Sequence, residues 1–303
     1  MKLITELVTF VLSRFSALTF TRKGIFDAAT FAAVLLFCLA LEWMKRRSIR
    51  RYGAKAFRTD LLYSFVYLSG AYSLFVGLPV YRFLTVHLSH WVPFLQTHAL
   101  TGLPAPVQFV AGMAAADFTY YLWHRTVHAT PFLWAFHSIH HSQEELTIAT
   151  SLRVHIFEEM VRGLFYFVPF FILAIPPQVW LPLDIAINWL LFLEHSDLDW
   201  TYGKLGSVLV SPHFHRVHHS IEVQDIDTNF GSFFSFWDRL FGTANLRATR
   251  PAAYGVPGSP VPESFIRQLA YPFIALLRER PYLFTRRRLG SLITANTVAS
   301  TTD

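Results

Sequence analysis

The 303-residue sequence predicts an all-α integral membrane protein, with about four transmembrane helices and a cytosolic, histidine-rich helical cap. Three observations predict it. Hydrophobic residues make up 53% of the chain and charged ones only 15%, whereas a soluble domain carries about a quarter. Apolar runs of about twenty residues recur along it. The Lys and Arg residues, which leave a net charge of +6, gather beside those runs. Cys38 is the sole cysteine, so a disulfide scaffold is excluded, and an aromatic share of 17% suits interfacial belts. Basic residues that flank apolar runs also argue against a nucleic-acid binder.

Residues 1–24 read as an amphipathic lead-in on the membrane surface, because Glu6 and Arg14 interrupt their apolar stretch and no small-residue cleavage site follows. Ile25–Met44 is apolar except for Asp27 and Glu42 near its ends, which is enough to cross a ~30 Å hydrocarbon core. Lys45, Arg46, Arg47, Arg50, Arg51, Lys55 and Arg58 then mark a cytoplasmic loop. Leu61–Leu84 is the second expected span and Ala105–Trp123 the third. Phe157–Leu181 and Pro182–Leu193 form an expected helical hairpin, broken at Pro176, Pro177 and Pro182, with a short second arm. From Glu194 the chain is more polar, and residues 290–303 are expected to be a disordered tail. The whole reads as one domain with its chemistry in residues 110–245. This topology puts residues 124–155, 195 and 213–219 on one cytoplasmic face, of a bacterial inner membrane or of the endoplasmic reticulum.

Those segments hold eleven of the fourteen histidines. His124 and His128 stand at i and i+4; His137, His140 and His141 at i, i+3 and i+4; His215, His218 and His219 repeat the second pattern. Such spacings put imidazoles on one side of a helix, where they can chelate an ion. With His195 they make nine candidate ligands, more than the roughly six that one metal accepts, so they point to two ions. A thiolate-free, nitrogen-rich set suits Fe, Zn, Cu or Ni better than Mg or Ca. His155 is either a further ligand or a group that supports one. His213 is spare by the box spacing, and His87, His90 and His98 lie in the opposite loop. Asp117, seven residues before His124, either accepts the second N–H of a liganding imidazole or pairs with an arginine. Asn188 shares a helical face with Asp184 and His195 and is a candidate supporting group.

These residues resemble the fatty acid hydroxylase/sterol desaturase superfamily of membrane di-iron oxygenases. The resemblance rests on Asp117-Phe118, Tyr121 to Arg125 and His128, on His137 to Ser142, and on Arg153-Val154-His155. It continues through Glu194 to Asp197, Ser211 to Ser220, Asn229-Phe230-Gly231 and Trp237 to Thr243. It implies a helical membrane fold, two iron ions held by His124, His128, His137, His140, His141, His195, His215, His218 and His219, and O2 as co-substrate. It also implies hydroxylation or desaturation of a C–H bond in a membrane lipid such as a sterol, fatty acyl or alkylglycerol group. Some members have a second histidine four residues after the one matching His195. Asp199 stands there, so a tenth ligand is missing or is replaced by Asp199, His155 or water. No haem motif, dinucleotide loop or cysteine cluster is present, so electrons are expected from an external cytochrome, ferredoxin or reduced pterin. A membrane zinc hydrolase and a metal transporter are the alternatives; the first needs far fewer ligands, and the second a site near the bilayer midplane.

Overall fold

A computed structural model describes residues 22–46, 48–69, 72, 78–174, 187, 189–256 and 261–278. The expected tail, most of the lead-in, the hairpin turn and Asn188 lie outside these residues. Nine helices are described: α1 Arg22–Arg46, α2 Lys55–Leu68, α3 Leu78–Trp91, α4 Ala105–Ala129, α5 Pro131–His141, α6 Ile156–Leu173, α7 Pro212–His218, α8 Phe236–Leu240 and α9 Phe265–Leu277. Residues 189–194 are also helical. Among the described residues the only β pairing is two isolated bridges, Leu209 with Phe234 and Ser220 with Tyr254.

The all-α expectation agrees with this architecture, but the four spans do not. No helix among the described residues is long and apolar enough to cross a membrane. The expected span Leu61–Leu84 falls across α2 and α3, which have 14 residues each, about 21 Å of helix. α1 and α4 are longer, at 25 residues. However, α1 carries Glu42, Lys45 and Arg46, and α4 carries Asp117 and Arg125. α6 opens on Glu158, Glu159 and Arg162. The acidic groups Glu42, Asp60 and Asp117 turn inward: the first two are fully buried and Asp117 is 3% exposed. Apolar runs that read as lipid-facing therefore also serve an interior built around polar residues. Phe31, Val34 and Cys38 of α1, for instance, pack with Ile148, Ala149 and Phe192. The sidedness deduced from the spans loses its basis with them.

Local sequence explains how the histidine segments meet. α4 and α5 are separated by Thr130 alone, and Pro131 opens α5 where a missing N–H costs nothing. The chain turns there, and α4 packs on both α5 and α6. α6 starts at His155, whose Nδ1 accepts the Phe157 N–H at 3.1 Å, with Glu158 and Glu159 in the first turn where the helix dipole favours them. α7 starts at Ser211, whose hydroxyl accepts the Phe214 N–H at 3.2 Å, followed by Pro212.

Beneath α5, α2 contributes one buried anion. Asp60 takes Arg153 Nη1 at 2.7 Å, Gln143 Nε2 at 2.7 Å and Thr150 Oγ1 at 3.1 Å. Arg153 Nε in turn donates to the Ile139 carbonyl at 2.9 Å, in the middle of the second histidine box. Asp60→Ala would leave the buried Arg153 guanidinium without its carboxylate, so we expect a loss of about 3–5 kcal/mol. Chemical denaturation of the variant against the wild type measures it.

Candidate metal centre

The nine histidines expected as ligands come together in two groups. His124, His128, His137, His141 and His218 each place a ring nitrogen within 4.8 Å of the others', and so do His140, His195, His215 and His219. All nine are buried, none more than 5% exposed. In each three-histidine box the i and i+4 residues stay together while the i+3 residue joins the other group. Thus His140 leaves His137 and His141, and His218 leaves His215 and His219. Each box reaches both groups, which holds the two close together.

Carbonyls and carboxylates behind the rings decide which nitrogen faces inward. His124 Nδ1 donates to the Phe230 carbonyl at 2.8 Å, His218 Nδ1 to that of Thr228 at 2.8 Å, and His195 Nδ1 to that of Leu191 at 2.9 Å. His137 Nδ1 donates to Glu158 Oε1 at 2.6 Å. A carbonyl only accepts, so the proton sits on Nδ1 and Nε2 presents its lone pair to the centre. Asp227 Oδ1 lies 3.5 Å from His128 Nδ1, and Glu194 Oε2 lies 3.8 Å from His215 Nδ1.

The inward nitrogens are crowded. His195 Nε2 is 3.2 Å from His140 Nε2 and 3.0 Å from His215 Nε2, and His215 Nε2 is 3.1 Å from His219 Nε2. His141 and His218 bring their Nε2 atoms to 3.0 Å. Without a cation, one ring of each pair carries its proton on Nε2 and donates to the other; with a cation between them, both Nε2 lone pairs are satisfied. Two nitrogens about 2.1 Å from one ion and at right angles to it are about 3.0 Å apart, which matches. His124 Nε2, His137 Nε2 and both ring nitrogens of His128 are buried with no hydrogen-bond partner in the protein. Burial and neighbouring imidazoles hold His124, His128, His140, His141, His215 and His219 well below the ordinary histidine pKa. Burial pushes His195 down to about 4 and His218 to about 3, against the opposing pull of their Nδ1 bonds. The rings are therefore neutral near pH 7, the form a metal binds. The site fits a nitrogen-ligated pair of ions.

Other expected residues lie elsewhere. His155 belongs to neither group: besides capping α6, it donates from Nε2 to the Leu269 carbonyl at 3.1 Å. Asp199 pairs with Arg250 at 3.0 Å, and His213 Nε2 bonds the Arg247 carbonyl at 2.8 Å. Neither Asp199 nor His155 supplies a tenth ligand atom to these groups. Asp117 makes neither contact left open by the sequence. Its carboxylate accepts the N–H groups of Phe233 at 2.7 Å and Phe234 at 2.9 Å, and Trp237 Nε1 at 2.9 Å. It fastens the segment after Phe230 to α4.

That segment matters because Phe230 and Thr228 supply carbonyls to His124 and His218. Asp238 anchors it by accepting the Phe230 N–H at 2.8 Å and the Gly231 N–H at 2.7 Å. Asn229, at φ 60°, donates to the carbonyls of Phe214 and Asn245, both at 3.0 Å. A Cβ at Gly231 would lie 2.7 Å from the Phe234 carbonyl oxygen, so only glycine fits. Sequence reasoning missed Glu158 and the three carbonyls as partners of the rings. Glu158 follows His155 by three residues, but its pairing with His137 depends on how α6 lies against α5. Glu158→Ala should lower metal affinity about 10–100-fold by freeing the His137 ring, as read by chelator competition.

Comparison with known proteins follows the same segments. The pattern of the family described as fatty acid hydroxylase matches residues 109–243. An ornithine lipid hydroxylase of Rhizobium tropici is 32% identical over 172 residues, 56% of this chain and 51% of that protein. The alkylglycerol monooxygenase of Caenorhabditis elegans is 35% identical over 161 residues, 53% of this chain and 31% of that one. A cholesterol 25-hydroxylase-like protein of Danio rerio is 29% identical over 228 residues, 70% of this chain and 87% of that one. The chain thus spans about half or less of the first two relatives. No solved structure matches it. The histidine boxes and the Asn229–Thr243 segment lie inside the region that matches the fatty acid hydroxylase family, residues 109–243.

Proposed function

We propose that this protein is an O2-dependent oxidoreductase that hydroxylates a C–H bond of a lipid, with two iron ions held by the nine histidines. The observation that carries the reading is the convergence of buried imidazole nitrogens into a group of five and a group of four. Bound iron would supply the redox chemistry that activates O2 toward an unactivated C–H bond. The protein's own part is orientation and exclusion of water. Phe230, Thr228, Leu191 and Glu158 hold protons on the outer nitrogens so that the inner ones face the ions. The relatives' names, which specify lipid hydroxylases and monooxygenases, favour hydroxylation over desaturation.

Hydroxylation converts R–H, O2, two electrons and two protons into R–OH and water. The electrons come from an external donor, a cytochrome, ferredoxin or reduced pterin, because the chain has one cysteine and no haem motif. The basic segment Lys45–Arg58 supports contact with an anionic membrane surface, where the lipid would be met. A zinc hydrolase accounts for this site poorly, since five nitrogens in one group exceed zinc's tetrahedral set. The test is lipid mass spectrometry on cells expressing the protein under labelled dioxygen, with the His140→Ala variant as control. A lipid that gains one labelled oxygen only with the intact protein is the expected result. A lipid that loses two hydrogens without label would make the enzyme a desaturase, and no change in any lipid would refute the proposal.

A further inference from the structure

A cavity of about 650 Å³ lies beside the metal centre, walled by residues that follow the second and third histidine boxes. Glu144 and Glu145 stand just past His141, Arg216 is the residue after His215, and Arg50, Arg51 and Arg250 complete its charged lining. The lining carries charges of both signs. Arg216, 1% exposed, forms the floor: Nη1 donates to the Ser196 carbonyl at 3.1 Å, Nε to the Tyr254 hydroxyl at 3.2 Å, and the guanidinium lies 4.5 Å over the Tyr254 ring. Arg51, Arg216 and Arg250 all pair with the one buried carboxylate of Asp197, two residues after His195. Asp199 takes a second bond from Arg250. Arg50 adds an exposed guanidinium to the lining, and Glu144 and Glu145 add exposed carboxylates.

Three guanidiniums fixed around one carboxylate repel one another, and their planar forks suit a carboxylate or phosphate entering from the cavity. The glutamates suit an ammonium. A purely anionic ligand would be repelled by the glutamates, and a purely cationic one by the arginines. We infer that the cavity binds the head group of a zwitterionic lipid, its carboxylate or phosphate toward the arginines and its ammonium toward Glu144 and Glu145. This rests on the lipid-hydroxylase reading above and deepens it by naming the substrate class. The floor residue Arg216 is bonded to Ser196 and lies next to His215, so a seated head group sits one residue layer from the four-histidine group. That contact would fix which carbon of the lipid is presented for oxidation.

Calorimetry on the full-length, iron-loaded protein tests it without any oxidation readout. The soluble probes are phosphoethanolamine and Nα-acetylornithine, with inorganic phosphate, N-acetylnorvaline and ethanolamine as single-charge or uncharged-end controls. At least one zwitterion should bind about tenfold or more tighter than its anion-only counterpart, and ethanolamine should not bind. Arg50→Gln should weaken zwitterion and anion alike by about tenfold. A Glu144→Gln, Glu145→Gln double variant should reduce the zwitterion to the level of the anion. Vesicles of phosphatidylethanolamine should bind, and lose binding in Arg50→Gln, more than vesicles of phosphatidylglycerol. Equal binding of zwitterion and anion, no binding of either, or binding of soluble probes but not of vesicles would overturn the inference. Any of these with normal label incorporation would leave the hydroxylase reading standing. Binding as expected in a protein that oxidises no lipid would overturn that reading alone.

Discussion

Replacing His140 by alanine is expected to abolish lipid oxidation and to remove the ion of the four-histidine group while leaving that of the five-histidine group. His140 Nε2 meets His195 Nε2 at 3.2 Å, and its removal leaves three imidazoles around that position. Its neighbour His141 belongs to the other group, so His141→Ala should spare the four-histidine ion instead. The contrast between adjacent residues separates a ligand effect from general loss of fold, which would affect both ions alike. His155→Ala supplies the opposite control. His155 caps α6 and bonds the Leu269 carbonyl, so its loss should cost roughly 1 kcal/mol of stability and leave iron content and oxidation intact. Metal analysis and the labelled-oxygen assay, run on all three variants, check these outcomes.

The second large effect concerns acid. In the metal-free protein eight of the nine clustered histidines have pKa values depressed by burial. An unfolded histidine titrates near 6.5. Below that pH the unfolded chain binds protons that the folded chain refuses, so stability is present above about pH 6.5 and falls as pH falls. Each such group contributes up to ~1.4 kcal/mol per pH unit until its folded pKa is reached. For His195 that window extends down to about 4 and for His218 to about 3. Eight groups in concert should make metal-free protein unfold steeply between about pH 6.5 and 5. Bound metal competes with those protons, so the loaded protein should resist to lower pH. Denaturation midpoints measured across this range, with and without chelator, test both statements. A metal-free protein with flat stability from pH 7 to 5 would contradict the neutral, buried state of these rings.

Much of the site could be read from the sequence because its information is in side chains at helical spacing. His124 with His128, and the two repeats of His-x-x-His-His, name eight of the nine clustered residues, and His195 joins them by its expected place at the end of the short arm, on the same face as the boxes. The division into two groups was not legible, since spacings of i, i+3 and i+4 all fall on one side of a helix and only the packing sends His140 and His218 to the other group. The sequence also hides the layer behind the rings. The carbonyls of Leu191, Thr228 and Phe230 carry no residue-type signal, and Glu158 reaches His137 only because α6 packs on α4 beside α5. Asp117 shows the same limit from the other side. Helical phase aligned it with His124, yet its partners are N–H groups of a segment more than a hundred residues later.

The spans failed for a different reason. A count of apolar residues in a run ignores where helices break and which way ionisable groups turn. Leu61–Leu84 is divided between α2 and α3, and Glu42 and Asp117 sit within apolar runs because each has buried partners to satisfy it. Glu42 Oε1, for example, accepts the Asp197 N–H at 2.7 Å and the Tyr52 hydroxyl at 3.1 Å. A residue that looks like a flaw in a membrane span is here a tie between α1 and the segment that carries His195.

The measurement closest to the central claim is an anaerobic ferrous titration of the metal-free wild-type chain, followed by metal analysis after removal of unbound iron. Two groups of imidazoles predict saturation at two irons per chain, falling to one in His140→Ala. Saturation at a single iron in the wild type, or two irons retained in His140→Ala, would contradict the assignment of the four-histidine group as a metal site.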